Sequence, residues 1–137
     1  MHPDWYQDLA QIELSDYPFS SLSWEIEQHS NQYRSHFDDR FWQRERIGFY
    51  QKAKIPAYLI ADTLKQLRNT NFISIYATTR PEEDFAETFA IYAHTELMGK
   101  PYRVEALTDG KLSAVVKPCF KISCPKKFEM IKAIMDQ

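Results

Sequence analysis

The sequence predicts an α+β domain that is mostly helical and carries a small β-hairpin. Residues 56–68 and 81–97 each place apolar side chains three and four positions apart, as amphipathic helices do. An Asp-Gly pair at 109–110 separates two strand-like runs, 102–107 and 111–116, which is a strong signal for a hairpin. We therefore expect helices around one core and a two-residue turn with both residues at positive φ.

The composition is that of one packed domain spanning residues 1–137. Hydrophobic residues make up 44% of the chain, aromatic residues 15%, and there are only three glycines, which favours a helix-rich core over a linker. A net charge of −2 argues against a general nucleic-acid or anionic-membrane binder. No apolar run reaches the length of a membrane span, so a cytoplasmic location is the default expectation.

Three further elements are expected near the two ends of the chain. Residues 4–14 favour a short helix, and residues 19–26 fit a short strand or an extended arm. Residues 125–135 place Phe128, Ile131, Ile134 and Met135 on one face of a closing helix.

Residues 28–54 are polar with interleaved aromatic side chains. Tyr33, Phe37 and Phe41 follow one another at intervals of four, which predicts a helical portion here. Arginines among aromatic residues also occur on nucleic-acid surfaces, but acidic neighbours offset them, and we interpret the aromatic stripe as core. The charged residues concerned are Arg34, Arg40, Arg44, Arg46, Asp38, Asp39 and Glu45.

The stretch around which the chain is organised is residues 74–89, S-I-Y-A-T-T-R-P-E-E-D-F-A-E-T-F. It predicts an extended segment that leads into a helix, with Thr79 as the N-cap and Glu82 closing a capping box. Pro81 suits the first helical turn, where its missing N–H costs nothing. Gly99 supplies the stop after about residue 97.

Three ionisable residues of this helix share one flank. Glu83, Glu87 and His94 are predicted to lie beside the apolar face, neither at its centre nor opposite it. Titratable groups on the edge of a core are placed to line a cleft, and this is the one placement in the chain that points to chemistry. The predicted apolar face comprises Phe85, Ala86, Phe89, Ala90, Ala93 and Leu97, with Phe85 and Phe89 buried.

The same stretch resembles the segment downstream of the zinc helix in gluzincin metallopeptidases, closest to the anthrax-lethal-factor-like group and related bacterial zinc peptidases. The resemblance rests on Tyr76, Glu83 and Glu87 at their mutual spacing. It implies that Glu83 is the third zinc ligand, that Glu87 is a supporting carboxylate, and that Tyr76 is a catalytic residue over the zinc-bound water and the substrate carbonyl. It also implies a zincin-like C-terminal half, zinc as cofactor and hydrolysis of peptide bonds in a protein or peptide substrate.

One feature of that family is missing from the chain. Zincins take two zinc ligands and a general base from H-E-x-x-H, but none of the four histidines here is followed by Glu or paired at i, i+4. We therefore expect a partial peptidase core that binds zinc weakly or not at all alone and needs the helix from an upstream segment or a partner chain. His94 is expected to be structural, and an exposed patch where the helix belongs predicts a homodimer.

Two alternatives remain open at this point. The runner-up interpretation of the chain is a catalytically inactive remnant that serves as a protein-binding module. Cys119 and Cys124 could be reduced thiols, a disulfide or half of a metal site, and reduced thiols are our expectation.

Overall fold

The structure is a computed structural model that describes residues 14–27, 29, 32–47, 55–117 and 125–137. Of these residues about 50% are helical and 18% lie in strands. The predicted α+β class, with more helix than strand, is therefore confirmed.

The described residues form short helices and two antiparallel hairpins. In chain order the α-helices are α1 (Pro18–Ser21), α2 (Ile60–Leu67), α3 (Pro81–Tyr92) and α4 (Pro125–Met135), and the strands are β1 (Trp24–Glu27), β2 (Gln32–Ser35), β3 (Val104–Thr108) and β4 (Lys111–Val116). Short 3-10 helices lie at Leu14–Asp16, Trp42–Arg46, Ala57–Leu59 and Tyr76–Thr78, and a π-helical segment, Ala93–Leu97, extends α3. Strand β1 pairs with β2, and β3 pairs with β4.

The predicted hairpin at residues 109–110 is confirmed. Asp109 and Gly110 both have positive φ, 52° and 74°, as a two-residue turn between twisted strands requires. One face of the hairpin packs against α2, where Leu64 joins Ala106, Ala114 and Val116 in a small apolar cluster. This contact fixes the strand that follows the end of α3.

The helix predicted around Tyr33, Phe37 and Phe41 is wrong. Tyr33 lies in β2, which pairs with β1, Phe37 lies in the turn after it, and Phe41 follows that turn. All three rings still pack into the main core, because a strand followed by a tight turn also brings them to one side. The spacing of four residues therefore predicted correctly that the three rings pack into the core, but it predicted the wrong secondary structure.

The main core is built mostly from aromatic side chains. Its buried members are Phe19, Trp24, Phe41, Leu67, Phe72, Ile73, Ala77, Ile91, Tyr92, Phe128 and Ile131. They come from α1, β1, α2, α3, α4 and the connections between these elements, so the core holds α3 on several sides. Edge-to-face pairs such as Trp24 with Phe72, whose ring centroids are 5.3 Å apart, add to the apolar burial.

The start of α3 differs from the prediction. The N-cap is Arg80, with an extended backbone, and no side chain caps the helix, so the predicted capping box does not form. The Thr79 hydroxyl instead donates to the carbonyl of Tyr76 at 2.7 Å, within a 3-10 turn that replaces the expected extended segment. The end of the helical stretch is as predicted, because the π-helical segment ends at Leu97 and Gly99 follows with φ 63°.

The buried face of α3 is also not the predicted one. Asp84, Thr88 and Ile91 are buried, whereas Phe89 is 36% exposed and Phe85 is only half-buried. At about 100° per residue, the buried face lies roughly 150° around the helix from the predicted apolar face. The predicted burial of Phe89 is therefore wrong.

A buried ion pair explains why this face of α3, and not the predicted one, is buried. The Nζ of Lys127, on α4, donates to both carboxylate oxygens of Asp84 at 2.7 and 2.8 Å, and the indole of Trp24 donates to Oδ2 at 3.1 Å. The Lys127 ammonium also lies 4.7 Å from the ring centroid of Phe72. Burial raises the pKa of Asp84 and lowers the pKa of Lys127, and each charge opposes that shift in the other.

Some predictions fall outside the described residues or have simple outcomes. The cysteines Cys119 and Cys124 lie outside the described residues, and so does the predicted helix at 4–14 except for its last residue. The closing helix is confirmed as α4, and no described helix is long and apolar enough to cross a membrane. Arginines of the polar stretch do pair with acidic neighbours, as Arg44 does with Asp38 at 2.6 Å.

Candidate functional site

The flank that carries Glu83, Glu87 and His94 is present in the structure, and we call it the α3 shoulder. All three side chains are half-buried, as residues at the border of a core are. At about 100° per residue they lie roughly 100° from the centre of the buried face and equally far from the face that was predicted. The shoulder prediction is therefore compatible with the observed helix although the predicted apolar face is wrong.

Glu87 is held in place by Ser74. The Ser74 hydroxyl donates to Oε2 of Glu87 at 2.9 Å and accepts the backbone N–H of Ala77 at 3.0 Å. Ser74 and Ala77 are both buried, so this bridge ties the 3-10 turn ahead of α3 to the second turn of the helix. A carboxylate fixed in this way keeps one orientation without a metal or substrate.

His94 is fixed at the other end of the shoulder. Its Nε2 lies 3.0 Å from the carbonyl of Pro101, to which a ring N–H can donate. The N–H of Lys100 donates to the carbonyl of His94 at 3.0 Å, which closes the end of the helix. In this geometry Nε2 of His94 contacts the connection to β3.

Tyr102 completes the shoulder, and sequence reasoning missed it. Its ring packs edge-on against the ring of His94, with centroids 6.2 Å apart. Burial raises the pKa of the Tyr102 hydroxyl, and the negative charge of Glu87 raises it further, so the phenol lies within electrostatic reach of that carboxylate. The one available signal was its position just after Gly99 and Pro101, where the chain must turn back along the helix.

Tyr76 lies in the 3-10 turn that packs against α3. Its side chain is half-buried, and its backbone carbonyl accepts the hydroxyl of Thr79. The residues proposed from the sequence are thus carried by two elements, since Tyr76 is on the turn while Glu83 and Glu87 are on the helix.

The described residues do not provide a complete set of donors for zinc. Zinc in proteins is held by at least three side-chain donors, and a carboxylate near the start of a helix suits one of these positions. Among the described residues, no three histidine, cysteine, aspartate or glutamate side chains come together in a way that could hold a metal ion. Glu83 and Glu87 therefore do not make a metal site by themselves.

The described histidines outside the shoulder do not supply the missing ligands. His29 is exposed, and His36 contacts the carbonyl of Ser21 at 3.1 Å and Glu25 at 3.9 Å, on the β1–β2 side of the domain. His2 lies outside the described residues.

The sequence that forms this site matches a known protein family. The model of the family described as "Putative zinc-binding metallo-peptidase" matches residues 12–117, which is well over half of the chain. The chain belongs to this family. No curated protein and no solved structure matches it significantly.

Proposed function

We propose that the chain contributes Glu83 as third zinc ligand, Glu87 as supporting carboxylate and Tyr76 as oxyanion donor to a gluzincin-type peptidase of the lethal-factor-like kind. Family membership supports a zinc-binding metallopeptidase role. The observation that carries the finer assignment is the shoulder itself, where Glu87 is already held by Ser74 one helical turn from Glu83.

Each of these residue types suits its proposed role. Glu83 sits in the first turn of a helix anchored by a buried ion pair, so its carboxylate is held on a rigid element, and it is half-buried, so one side remains accessible. When bound in a complete core, zinc lowers the pKa of a water molecule and polarises the substrate carbonyl. The Tyr76 hydroxyl would donate a hydrogen bond to the oxyanion that develops on that carbonyl.

The remaining parts come from outside this sequence in our proposal. An H-E-x-x-H helix, supplied by an upstream segment or a partner chain, would bring the two imidazoles and the general base. Hydrolysis of peptide bonds is proposed only for that completed core.

A catalytically inactive, protein-binding role is the second candidate. It is favoured by the incomplete donor set among the described residues and by an exposed apolar pair at the tip of the second hairpin. Leu107 and Leu112 are cross-strand partners and are 64% and 56% exposed, so they offer a small contact surface for another protein.

The test is peptide hydrolysis by the completed core. We would join an H-E-x-x-H segment from a family relative to this chain and follow zinc-dependent cleavage of a fluorogenic peptide library. Tyr76→Phe should keep zinc binding and lower turnover by about a hundredfold, because one oxyanion donor is worth about 3 kcal/mol. Tyr58→Phe, at a side chain that is 77% exposed, is the matched control and should have no effect.

Two results would contradict the proposal. Unchanged turnover in Tyr76→Phe would remove that residue from the chemistry. A completed core that binds zinc but cleaves no peptide would favour the protein-binding role.

A further inference from the structure

A groove of about 710 Å³ lies next to the α3 shoulder. It runs between the π-helical segment, the connection into β3 and the residue that follows β4. Its lining residues are Thr95, Lys100, Pro101, Tyr102, Arg103 and Lys117, and we call it the basic groove.

The basic groove is positively charged although the chain as a whole carries a net charge of −2. Three of its lining residues are cationic and none carries a carboxylate. Arg103 donates to Glu105 at 2.6 Å, just outside the groove, which offsets part of its charge. Lys100 and Lys117 are exposed, and no ion pair is found for either within the described part of the chain. Their ammonium groups are therefore available to a ligand.

Tyr102 belongs to both the groove and the shoulder. It lines the groove, packs on His94 and lies within electrostatic reach of Glu87. Pro101 also lines the groove while its carbonyl contacts the His94 ring. A molecule bound in the groove would consequently lie at the His94 end of the shoulder, on the same side of α3 as Glu87.

We propose that the basic groove binds a carboxylate of the peptide substrate, and so gives the peptidase a preference for peptides that carry a carboxylate at some distance along the chain from the cleaved bond. This inference rests on the proposed function above for its catalytic meaning, but the binding itself requires only this chain. Lys100 and Lys117 would supply the charge, with Arg103 and the Tyr102 hydroxyl as further donors. The carboxylate has two sources, an aspartate or glutamate side chain or the C-terminus of the peptide.

The test measures binding of short peptides to the chain as it exists, without zinc. Three peptides of equal length separate the sources of the carboxylate: Ac-AAEEA-NH2 has acidic side chains only, Ac-AAQQA-OH has a free C-terminus only, and Ac-AAQQA-NH2 has neither. Titrations followed by amide NMR signals should show binding of at least one of the first two, with shifts at Lys100, Tyr102 and Lys117. The third peptide should not bind.

Charge reversal then tests the groove itself. The double variant Lys100→Glu/Lys117→Glu should lower the affinity for the peptide that binds by about tenfold or more, because two attractive contacts become repulsive. The control Lys65→Glu/Lys132→Glu changes the net charge equally at two exposed lysines outside the groove, on α2 and α4, and should retain wild-type affinity. Raising the salt concentration should weaken binding to the wild type, since exposed charges are screened.

The possible outcomes separate this inference from its alternatives. The inference would be overturned if neither carboxylate-bearing peptide bound more tightly than the fully neutral peptide, or if both double variants lost affinity equally. A single-stranded oligonucleotide that binds the groove while neither carboxylate-bearing peptide does would also overturn it and make the groove a phosphate site. Because no step of this test involves zinc or Glu83, it can succeed or fail independently of the proposed catalytic role.

Discussion

Glu83 and Asp84 are adjacent in the sequence and have opposite surroundings in the structure. Asp84 is 0% exposed and is bound by Lys127 and Trp24, so it serves the packing of α3 against α4 and β1. Glu83 is half-buried on the shoulder, one turn from Glu87. The acidic start of α3 therefore combines residues that are buried and paired within the fold with one, Glu83, that keeps an accessible side on the shoulder.

This difference shows that charge alone does not identify a functional carboxylate. The three acidic residues at 82–84 all suit the positive end of the helix dipole. Glu82 is buried and paired with Arg80 at 2.7 Å, Asp84 is buried and paired with Lys127, and Glu83 is left with an accessible side. The residue that is least committed to the fold is the one available for a ligand.

The largest expected effect comes from removing one partner of the buried Asp84–Lys127 ion pair. Lys127→Met should destabilise the protein by about 3–5 kcal/mol, because it leaves the Asp84 carboxylate buried without its partner. Lys126→Met, at the exposed neighbouring position, is the control and should change stability by less than about 0.5 kcal/mol. Urea denaturation measures both. If the two variants are equally stable, Asp84 does not anchor α3 as described.

A smaller loss of stability is expected from removing the Ser74 hydroxyl, which joins the 3-10 turn to Glu87 on the shoulder. Ser74→Ala should cost about 1–3 kcal/mol, since it removes the bond to Glu87 and leaves the buried N–H of Ala77 unpaired. Ser21→Ala, at an exposed serine whose hydroxyl donates to Pro18, should be nearly neutral in the same denaturation experiment. Equal values for the two variants would mean that Glu87 is not held by Ser74 in solution.

The smallest effect concerns the electrostatics of the shoulder. Glu87→Gln should lower the pKa of Tyr102, because it removes a negative charge that disfavours the phenolate, while burial keeps that pKa above the ordinary value. NMR titration of the Tyr102 ring carbon measures the shift. Glu83→Gln is the matched control, since Glu83 does not contribute to the raised pKa. A Tyr102 pKa that is the same in Glu87→Gln and wild type would contradict the shoulder geometry.

Local signals in the sequence predicted the elements better than the contacts between them. The Asp-Gly turn, the stop at Gly99 and the closing helix were found because neighbouring residues determine them. The buried face of α3 was not found, because Lys127 lies 43 residues from Asp84 and no local pattern links the two. Assigning helix faces from amphipathic periodicity places every carboxylate on the polar surface. It therefore predicts exposure for a carboxylate, such as Asp84, that is buried with a charged partner.

The same reasoning applies to the candidate site. Glu83, Glu87 and His94 were grouped because helical periodicity alone places them together, whatever lies on the opposite side of the helix. Tyr102 and the fixing role of Ser74 come from the packing of a turn and a returning segment against α3, so they required the structure. Family resemblance proposed a zinc ligand, and periodicity could not distinguish that role from a helix start.

The most direct test of the proposed function is the zinc affinity of the core completed with an H-E-x-x-H segment, measured by calorimetric titration. The chain alone should bind zinc weakly, and the completed core tightly. Glu83→Gln in the completed core should lower the affinity by at least about tenfold, as loss of a ligand should exceed the loss of an outer partner. Glu96→Gln, at an exposed carboxylate in the π-helical segment, should leave it unchanged. If Glu83→Gln binds zinc as tightly as wild type, Glu83 is not a ligand and the acidic start of α3 serves only the fold.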